Sequence, residues 1–279
     1  MRGIFLTIFI YICTFSMPLF SQNIIDTTYL RCTYNYLRQT DTITGVVKDD
    51  MIILQIGSNM SKSFSYFSYQ VDSLYEMPNG DKIWTEIFEK ELKKEGLKAR
   101  NFPRKRMKTY VYKKYPKGKM TVTDGFSLQD YIYKDELNAQ NWQFIDSTKT
   151  VLDYSCQMSV CDFRGRQWTA WFAPDIPVSD GPWKFCGLPG LILEVYDRGS
   201  QYHFTAIGLQ KAENEPIIFS KTYVGSKKFE KTNRLDFLKA QKRYLMDMNG
   251  YIQMETGIDL SGGQPEKIMR YDLMERDYN

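Results

Sequence analysis

The sequence has few of the residues that enzymes most often use for catalysis and metal binding. It contains one histidine, His203, so a Ser-His-Asp or Cys-His arrangement would have to use that residue. The sequence has no Gly-x-Ser-x-Gly segment, HExxH helix, Walker loop or Rossmann glycine fingerprint. Zinc sites usually draw on two or more His or Cys ligands, which the sequence does not cluster. These absences disfavour the commonest hydrolases, metalloenzymes and nucleotide-binding proteins, and the sequence indicates no cofactor.

Cysteine is also scarce, and no CxxC segment is present, which excludes a thioredoxin-like redox motif. Cys32, Cys156, Cys161 and Cys186 follow the first 21 residues. In an exported chain these four allow two disulfides, with three possible pairings. Cys156 and Cys161 are five residues apart, so on one strand they point to opposite faces and cannot pair with each other. We favour a disulfide between Cys186 and one of them; the alternative is that some remain buried thiols.

Long apolar runs are absent except at the N-terminus. Arg2 precedes an apolar run over residues 4–15, which Pro18 and a polar stretch bring to an end. A short basic start, an apolar middle and a small residue such as Ser21 are typical of a signal peptide. Spanning a membrane takes about 20 apolar residues, and this run is shorter. We predict a signal peptide over residues 1–21, cleavage near Ser21, and a periplasmic or secreted protein with no transmembrane segment in the mature chain.

Aromatic residues make up 15% of the chain, and 20 of them are tyrosines, a composition that suits half-buried strands. Alternating segments predict strands at 29–37, 46–57, 105–115, 119–126, 131–133, 143–145, 154–163, 191–196 and 201–207, and helical spacing predicts helices at 81–95 and 233–248. We predict one α+β, mainly β domain over residues 22–250. Its expected form is a curved antiparallel β-meander, a half-barrel like that of lipoprotein carriers, with one or two packed helices. Residues 251–279 lose this pattern, which predicts a loosely ordered tail.

One hairpin allows a register to be assigned. A two-residue loop at Arg198-Gly199 pairs Val195 with Tyr202 and puts the large apolar side chains on one face. The same register places Glu194 opposite His203. The two form either an acid-base couple or, more plainly, a cross-strand polar pair on the wet face, worth well under ~1 kcal/mol.

Basic residues are concentrated between positions 96 and 123. This stretch holds ten Lys and Arg and no acid, although the net charge of the whole chain is only +4. Its candidate basic patch comprises Arg104, Lys105, Arg106, Lys108, Lys113 and Lys114. The patch is interpreted either as a contact for anionic lipid headgroups or another polyanion, or as a solvated hairpin whose lysines discourage edge-to-edge pairing. Export disfavours nucleic acid as a partner.

Two segments concentrate glycine, proline and tryptophan: residues 163–172, FRGRQWTAWF, and residues 181–194, GPWKFCGLPGLILE. Leu188-Pro189-Gly190-Leu191 fits a type II turn, with proline first and glycine where φ is positive. The segments indicate either a constrained crossing between strands or a binding site. In the second interpretation the ligand- or partner-binding residues are Arg164, Arg166, Trp168, Trp183, Lys184 and Pro189.

Together these segments closely resemble the GLPGLI family of exported proteins from Gram-negative bacteria, named for Gly187 to Ile192. The resemblance extends over nearly all of the mature chain, although residues 272–275 match the usual family ending poorly. It implies an envelope protein without an established activity, catalytic residues or cofactor, related to proteins encoded beside outer-membrane transporter genes.

These observations favour a non-catalytic binding or assembly protein for an apolar ligand, a lipid moiety or an outer-membrane partner. One alternative is a surface interaction protein whose tail docks to an outer-membrane transporter. The other is a hydrolase that uses carboxylates, which would need two of them converging in a cleft.

The signal peptide generates the first prediction. Protein purified from its own cell envelope should begin near Gln22, because signal peptidase cleaves after a small residue at the end of the apolar run. Intact-mass measurement checks this. A mass that retains Met1 would contradict cleavage.

Overall fold

The computed structural model describes residues 24–39, 41–96, 102–220, 228–259 and 272–278. These residues form twelve strands and four helices. The strands are β1 (Ile24–Arg38), β2 (Lys48–Gly57), β3 (Ser61–Ser65), β4 (Tyr110–Lys113), β5 (Lys119–Phe126), β6 (Gln129–Glu136), β7 (Gln143–Val151), β8 (Tyr154–Phe163), β9 (Arg166–Ala173), β10 (Leu191–Asp197), β11 (Tyr202–Ile218) and β12 (Glu230–Lys231). The helices are α1 (Tyr66–Glu76), α2 (Gly80–Glu95), α3 (Arg234–Met246) and α4 (Met248–Thr256).

All twelve strands belong to one open sheet in the order β12-β6-β5-β4-β3-β2-β1-β11-β10-β9-β8-β7. It consists of two antiparallel meanders, β1 to β6 and β7 to β11, joined where β1 pairs with β11. The mainly β fold with packed helices that the sequence predicts is confirmed. The topology differs from a simple meander in two respects: β1 lies in the middle of the sheet, and β12 pairs with β6 in parallel.

The main core lies on one face of the sheet, where both meanders contribute aromatic side chains. Cys32, Tyr34 and Tyr36 alternate inward along β1, as the two-residue period of a strand requires. The rings of Tyr36 and Phe204 stack across the junction of the meanders, with centroids 4.1 Å apart. On the opposite face a smaller cluster packs against α1; it contains Ile53, Met60, Phe64, Tyr110, Tyr112 and Ile217. The centre of the sheet is therefore buried on both faces.

Helices α1 and α3 pack against the sheet, whereas α2 does not. Ser65 caps α1 by accepting a hydrogen bond from the Ser68 N–H at 3.2 Å. In α3, Phe237 and Leu238 are buried, whereas Leu235 is 40% exposed. The apolar stripe of α2 does not reach the sheet: Ile83 and Leu92 are each 37% exposed.

The hairpin of β10 and β11 forms with a longer turn than the sequence predicts. Val195 pairs with Phe204, not Tyr202, because the turn spans residues 198–201. Asp197 stabilises this turn by accepting a hydrogen bond from the Tyr202 N–H at 2.9 Å. The shift is an even number of residues, so the apolar side chains keep their face.

Among the described residues all four cysteines are buried and free. The favoured disulfide between Cys186 and Cys156 or Cys161 is not formed, because the Cys186 thiol points to Asn138 Oδ1 at 3.2 Å. Burial raises the pKa of Cys161 to about 12, so it is a thiol and not a thiolate at neutral pH.

A buried lysine lies under α1. Lys62 is 1% exposed, and its Nζ donates to the Ile218 carbonyl oxygen at 3.0 Å and to Ser220 Oγ at 2.7 Å. Rings of four aromatic residues surround the ammonium, with centroids 4.6–5.7 Å away: Phe64, Tyr69, Tyr110 and Tyr112. Burial lowers the pKa of Lys62 to about 7.

This shift predicts a pH-dependent stability. Between about pH 7 and Lys62's ordinary pKa of 10.5, the unfolded chain binds more protons at Lys62 than the folded chain does. The free energy of unfolding should therefore rise with pH across this window. Lys62→Met should remove the contribution of Lys62 to this pH dependence, whereas Lys117→Met, at an exposed position, should leave the dependence unchanged. Urea unfolding at several pH values measures the slope; equal slopes for wild type and Lys62→Met would contradict a lowered pKa.

Candidate functional site

A cleft of about 440 Å³ lies between the core face of the sheet, α3 and residues 272–275. Its walls are largely aromatic and aliphatic, formed by Tyr36, Met107, Tyr133, Trp183, Tyr202, Phe237, Leu238, Tyr244, Leu245, Met248, Leu273 and Met274. The helix is held over the sheet by Phe237, whose ring centroid is 5.4 Å from that of Tyr133. The cleft has the size and lining of a small-molecule site.

Two oppositely charged side chains line this cleft without neutralising each other. Arg38 continues the inward alternation of Tyr36 along β1, and its Nε is buried without a hydrogen-bond partner among the described residues. Asp124 on β5 accepts hydrogen bonds from Thr109 Oγ1 at 2.6 Å and from the Gly125 N–H at 2.7 Å. Burial raises the pKa of Asp124. A buried guanidinium nitrogen without a partner makes Arg38 the natural contact for an acceptor on a ligand.

A shallower depression of about 250 Å³ adjoins the cleft and is also lined by Arg38 and Asp124. Arg106 and Lys108 are at this end, and Lys48 is on the wall of the main cleft. Burial lowers the pKa of Lys108. This end of the cleft therefore carries Arg38, Lys108 and Asp124, while Arg106 pairs with Asp49 at 2.6 Å.

The six residues of the candidate basic patch do not share one surface. Arg106 and Lys108 line the cleft, while Arg104 and Lys114 are exposed. The other two are buried ion-pair partners: Lys105 pairs with Asp72 and Lys113 with Asp180, each at 2.5 Å. Neither interpretation of the patch, a polyanion contact or a solvated hairpin, holds for these two lysines, because acids from distant segments neutralise them. Arg106 is also paired, with Asp49 at 2.6 Å.

Lys113 also positions the second glycine-rich segment. Its Nζ donates to the carbonyl oxygens of Gly181 at 2.5 Å and Phe185 at 3.1 Å. The turn that follows differs from the type II turn predicted at Leu188 to Leu191. The positive φ, +94°, is at Gly187, whereas Gly190 is required because a Cβ there would lie 2.3 Å from the Ala173 carbonyl oxygen.

The candidate binding residues of the two glycine-rich segments lie mostly inside the protein. Trp168 is 0% and Trp183 4% exposed, and the side chains of Arg166 and Lys184 are each 1% exposed. Pro189 is exposed and does not belong to this group. Trp183 alone of the six lines the cleft. The structure thus brings Arg164, Arg166 and Lys184 together, but around a segment of the same chain and not along an open rim.

That segment is residues 272–278, here called the tail segment. Lys184 Nζ contacts Glu275 Oε1 at 2.5 Å and Asp135 Oδ2 at 2.8 Å. Arg164 also pairs with Asp135, at 2.5 Å. Burial acts to raise the pKa of Asp135, but Lys184 and Arg164 hold it below its ordinary value. The network is therefore charged and buried, joining β6, the turn between β8 and β9, the loop before β10 and the tail segment.

Two further arginines hold the tail segment. Arg234 at the start of α3 pairs with Glu275 and Asp277, each at 2.7 Å. Arg166 pairs with Asp272 at 2.8 Å. Residues 272–278 are thus bound firmly, unlike the loosely ordered tail predicted for 251–279, because acids spaced along them meet buried cations. Residues 260–271 and 279 lie outside the described residues.

The chain's one histidine forms a polar cluster and not a catalytic relay. His203 Nε2 contacts both Glu194 Oε1 at 2.8 Å and Thr205 Oγ1 at 3.1 Å. A relay needs the acid and the nucleophile on different ring nitrogens, so these contacts do not form one. Lys149 also pairs with Glu194. His203 is paired with Tyr196 and not with Glu194, so the predicted register is wrong and the contact between His203 and Glu194 is diagonal. Glu194 is also buried rather than on a wet face, but the two still form a cross-strand polar contact, as in the plainer interpretation.

Within the described ranges, no three His, Cys, Asp or Glu side chains are grouped to bind a metal ion. The helices of the same ranges include none with the length and hydropathy needed to cross a bilayer.

Sequence reasoning missed Arg38, Asp124 and Arg234. The alternation of Cys32, Tyr34 and Tyr36 extends to position 38, which would have placed Arg38 on the core face. Nothing local distinguishes Asp124 or Arg234, since their roles depend on contacts with distant segments.

The buried network generates a stability prediction. Lys184→Met should lower the free energy of unfolding by about 3 kcal/mol, because removing one member of a buried ion network leaves its partners without compensation. Arg198→Ala, at an exposed turn, should change it by less than about 0.5 kcal/mol. Urea unfolding of the two variants provides the comparison; equal midpoints would show that the network does not stabilise the fold.

A family model described as "Protein of unknown function (Porph_ging)" matches residues 163–194, the stretch that contains Arg164, Arg166 and Lys184. It does not confirm the name GLPGLI. No curated protein matches the chain. Two solved structures, titled "Structure of PNGF-II in P21 space group" and "Structure of PNGF-II in C2 space group", are 11% and 12% identical, with TM-scores of 0.46 and 0.47. Each match covers 76% of this chain, which spans only 32% of the matched one. The chain is thus similar, over the motif that binds its tail segment, to a family of unknown function.

Proposed function

We propose that the protein is an exported, non-catalytic binding protein whose cleft holds an amphipathic ligand. The apolar body of the ligand lies against the aromatic wall, and its anionic group contacts Arg38. The observation that carries this proposal is the buried Nε of Arg38, which has no hydrogen-bond partner among the described residues and lies in a cleft lined by aromatic and aliphatic side chains as well as polar ones.

The energetics favour such a ligand. A buried donor without a partner costs about 1–3 kcal/mol, and an anionic oxygen that pairs with it offsets this cost. Lys108 lies at the same end of the cleft and Lys48 on its wall, and both attract an anion, whereas Arg106 is paired with Asp49. Aromatic and methionine side chains supply the apolar surface for an acyl or ring system.

The carboxylates of the cleft support binding more than catalysis. A hydrolase of the carboxylate type needs two acidic groups that converge on one bond. Asp272 and Glu275 already pair with Arg166 and Lys184, which leaves Asp124 as the one cleft carboxylate outside an ion pair among the described residues. The predicted signal peptide supports a periplasmic or secreted location for this binding activity.

Fluorescence titration with dansyl-labelled undecanoic acid tests the proposal. The acid should bind the wild-type protein, and Arg38→Ala should weaken binding about tenfold, because a charge-assisted hydrogen bond is lost. Arg198→Ala, which removes an equal charge from an exposed turn, is the matched control and should bind as wild type does.

The methyl ester of the same probe separates the two parts of the proposal. Equal binding of acid and ester, with no effect of Arg38→Ala, would overturn the anionic contact but keep an apolar site. Failure of both probes to bind would overturn the acyl-binding cleft. Native mass spectrometry of protein from its own envelope then shows whether a stoichiometric amphipathic molecule co-purifies.

A further inference from the structure

The tail segment lies in a groove that recognises its main chain. This groove, here called the tail groove, is formed by Arg164, Arg166, Lys184, Tyr202 and Arg234. Arg166 donates to the carbonyl oxygens of Leu273 at 2.8 Å and Met274 at 3.0 Å. The Arg276 N–H donates to the Arg164 carbonyl oxygen at 2.8 Å, and the Tyr202 hydroxyl donates to the Asp272 carbonyl oxygen. Such contacts bind an extended peptide irrespective of its side chains.

Side-chain contacts add a requirement for acids at set positions. Arg166 pairs with Asp272, Lys184 and Arg234 pair with Glu275, and Arg234 and Arg164 pair with Asp277. The acids therefore follow the spacing Asp-x-x-Glu-x-Asp. Because arginine and lysine read these acids at fixed positions, the groove is selective for a pattern and not only for negative charge.

The groove is preorganised by acids of its own. Asp135 pairs with Lys184 and Arg164, and Asp197 pairs with Arg166 at 2.8 Å. If the tail segment leaves, Lys184 and Arg164 share Asp135, and Arg166 retains Asp197. Arg234, whose partners Glu275 and Asp277 both belong to the tail segment, is left without a carboxylate among the described residues. The penalty for stranding buried charge is therefore reduced for three of the four cations, and a partner peptide must supply acids for the fourth.

We propose that the tail groove is a recognition site for an acidic peptide of a partner protein, and that the chain's own tail segment occupies it in cis. Asp272, Leu273, Met274 and Glu275 also form part of the cleft wall. Exchange of the tail segment for a partner peptide therefore replaces part of the cleft wall. In the alternative given by the sequence, the tail docks to an outer-membrane transporter. The present proposal is the reverse: an acidic segment of a partner docks in the tail groove, which the tail segment occupies until it is displaced.

The test uses the full chain with a protease recognition site placed within residues 260–271, cut after folding. A fluorescent synthetic peptide of residues 270–279 should exchange into the cut protein, with affinity that falls as salt rises. The uncut protein should bind it about a hundredfold more weakly, because the tethered segment competes at a high effective concentration. Fluorescence anisotropy measures both. A scrambled peptide of identical composition should bind the cut protein at least about tenfold more weakly than the native peptide.

A second variant keeps the test decisive if cutting unfolds the protein. The uncut Glu275→Gln, Asp277→Asn double variant weakens the resident segment and should bind the native peptide more tightly than uncut wild type does. Scrambled and native peptides with equal affinity would overturn pattern recognition. A cut or substituted protein that stays folded yet binds no peptide would overturn exchange. If native mass spectrometry shows that the substituted protein forms a dimer, a second copy of the chain, and not a partner protein, supplies the acidic segment.

Discussion

The rest of the structure depends on the neutralisation of buried cations by acids from distant parts of the chain. Lys184, Arg166 and Lys113 each have side chains 1% exposed, and each has a carboxylate partner within 3 Å. Such pairs cost desolvation, so their net contribution is modest, but a mismatched arrangement would be strongly penalised. These ion pairs therefore determine where the loop before β10 and the tail segment dock. Their net contribution to the free energy of unfolding is the smaller effect.

The sequence predicts the fold well where a strand or helix has one clear apolar face. Strand β8 and helix α3 follow their patterns closely, and β1 and β2 need only small changes at their ends. Helix α1 is not predicted, because its buried positions include Ser68 and Asp72, which do not form an apolar stripe. The central position of β1 in the sheet also cannot be predicted from the local sequence, since its pairing with β11 joins residues more than 160 positions apart.

The candidate site, like the fold, is predicted only in part by the sequence. Arg164, Arg166 and Lys184 are conspicuous in the sequence, but their partners Asp135, Glu275 and Asp277 are separated from them by 29 to 113 positions. The local sequence therefore indicates that these cations have a specific role. It does not indicate whether they contact a ligand or another segment of the chain. The aromatic cleft is similarly non-local: β1, β5, β6, β11 and α3 each contribute one to five side chains to it. Physical chemistry identifies such residues only after the fold has placed them together.

The central position of β1 has a consequence for how the chain matures. A chain that emerges N-terminus first can form the β1–β2 hairpin early, but the other edge of β1 waits for β11, most of the sequence later. Such long-range pairing makes folding slow and leaves a long strand edge open in the meantime. The nascent chain thus depends on its last third to cover its first strand. Until then the open edge of β1 presents unpaired N–H and C=O groups that can pair with another chain.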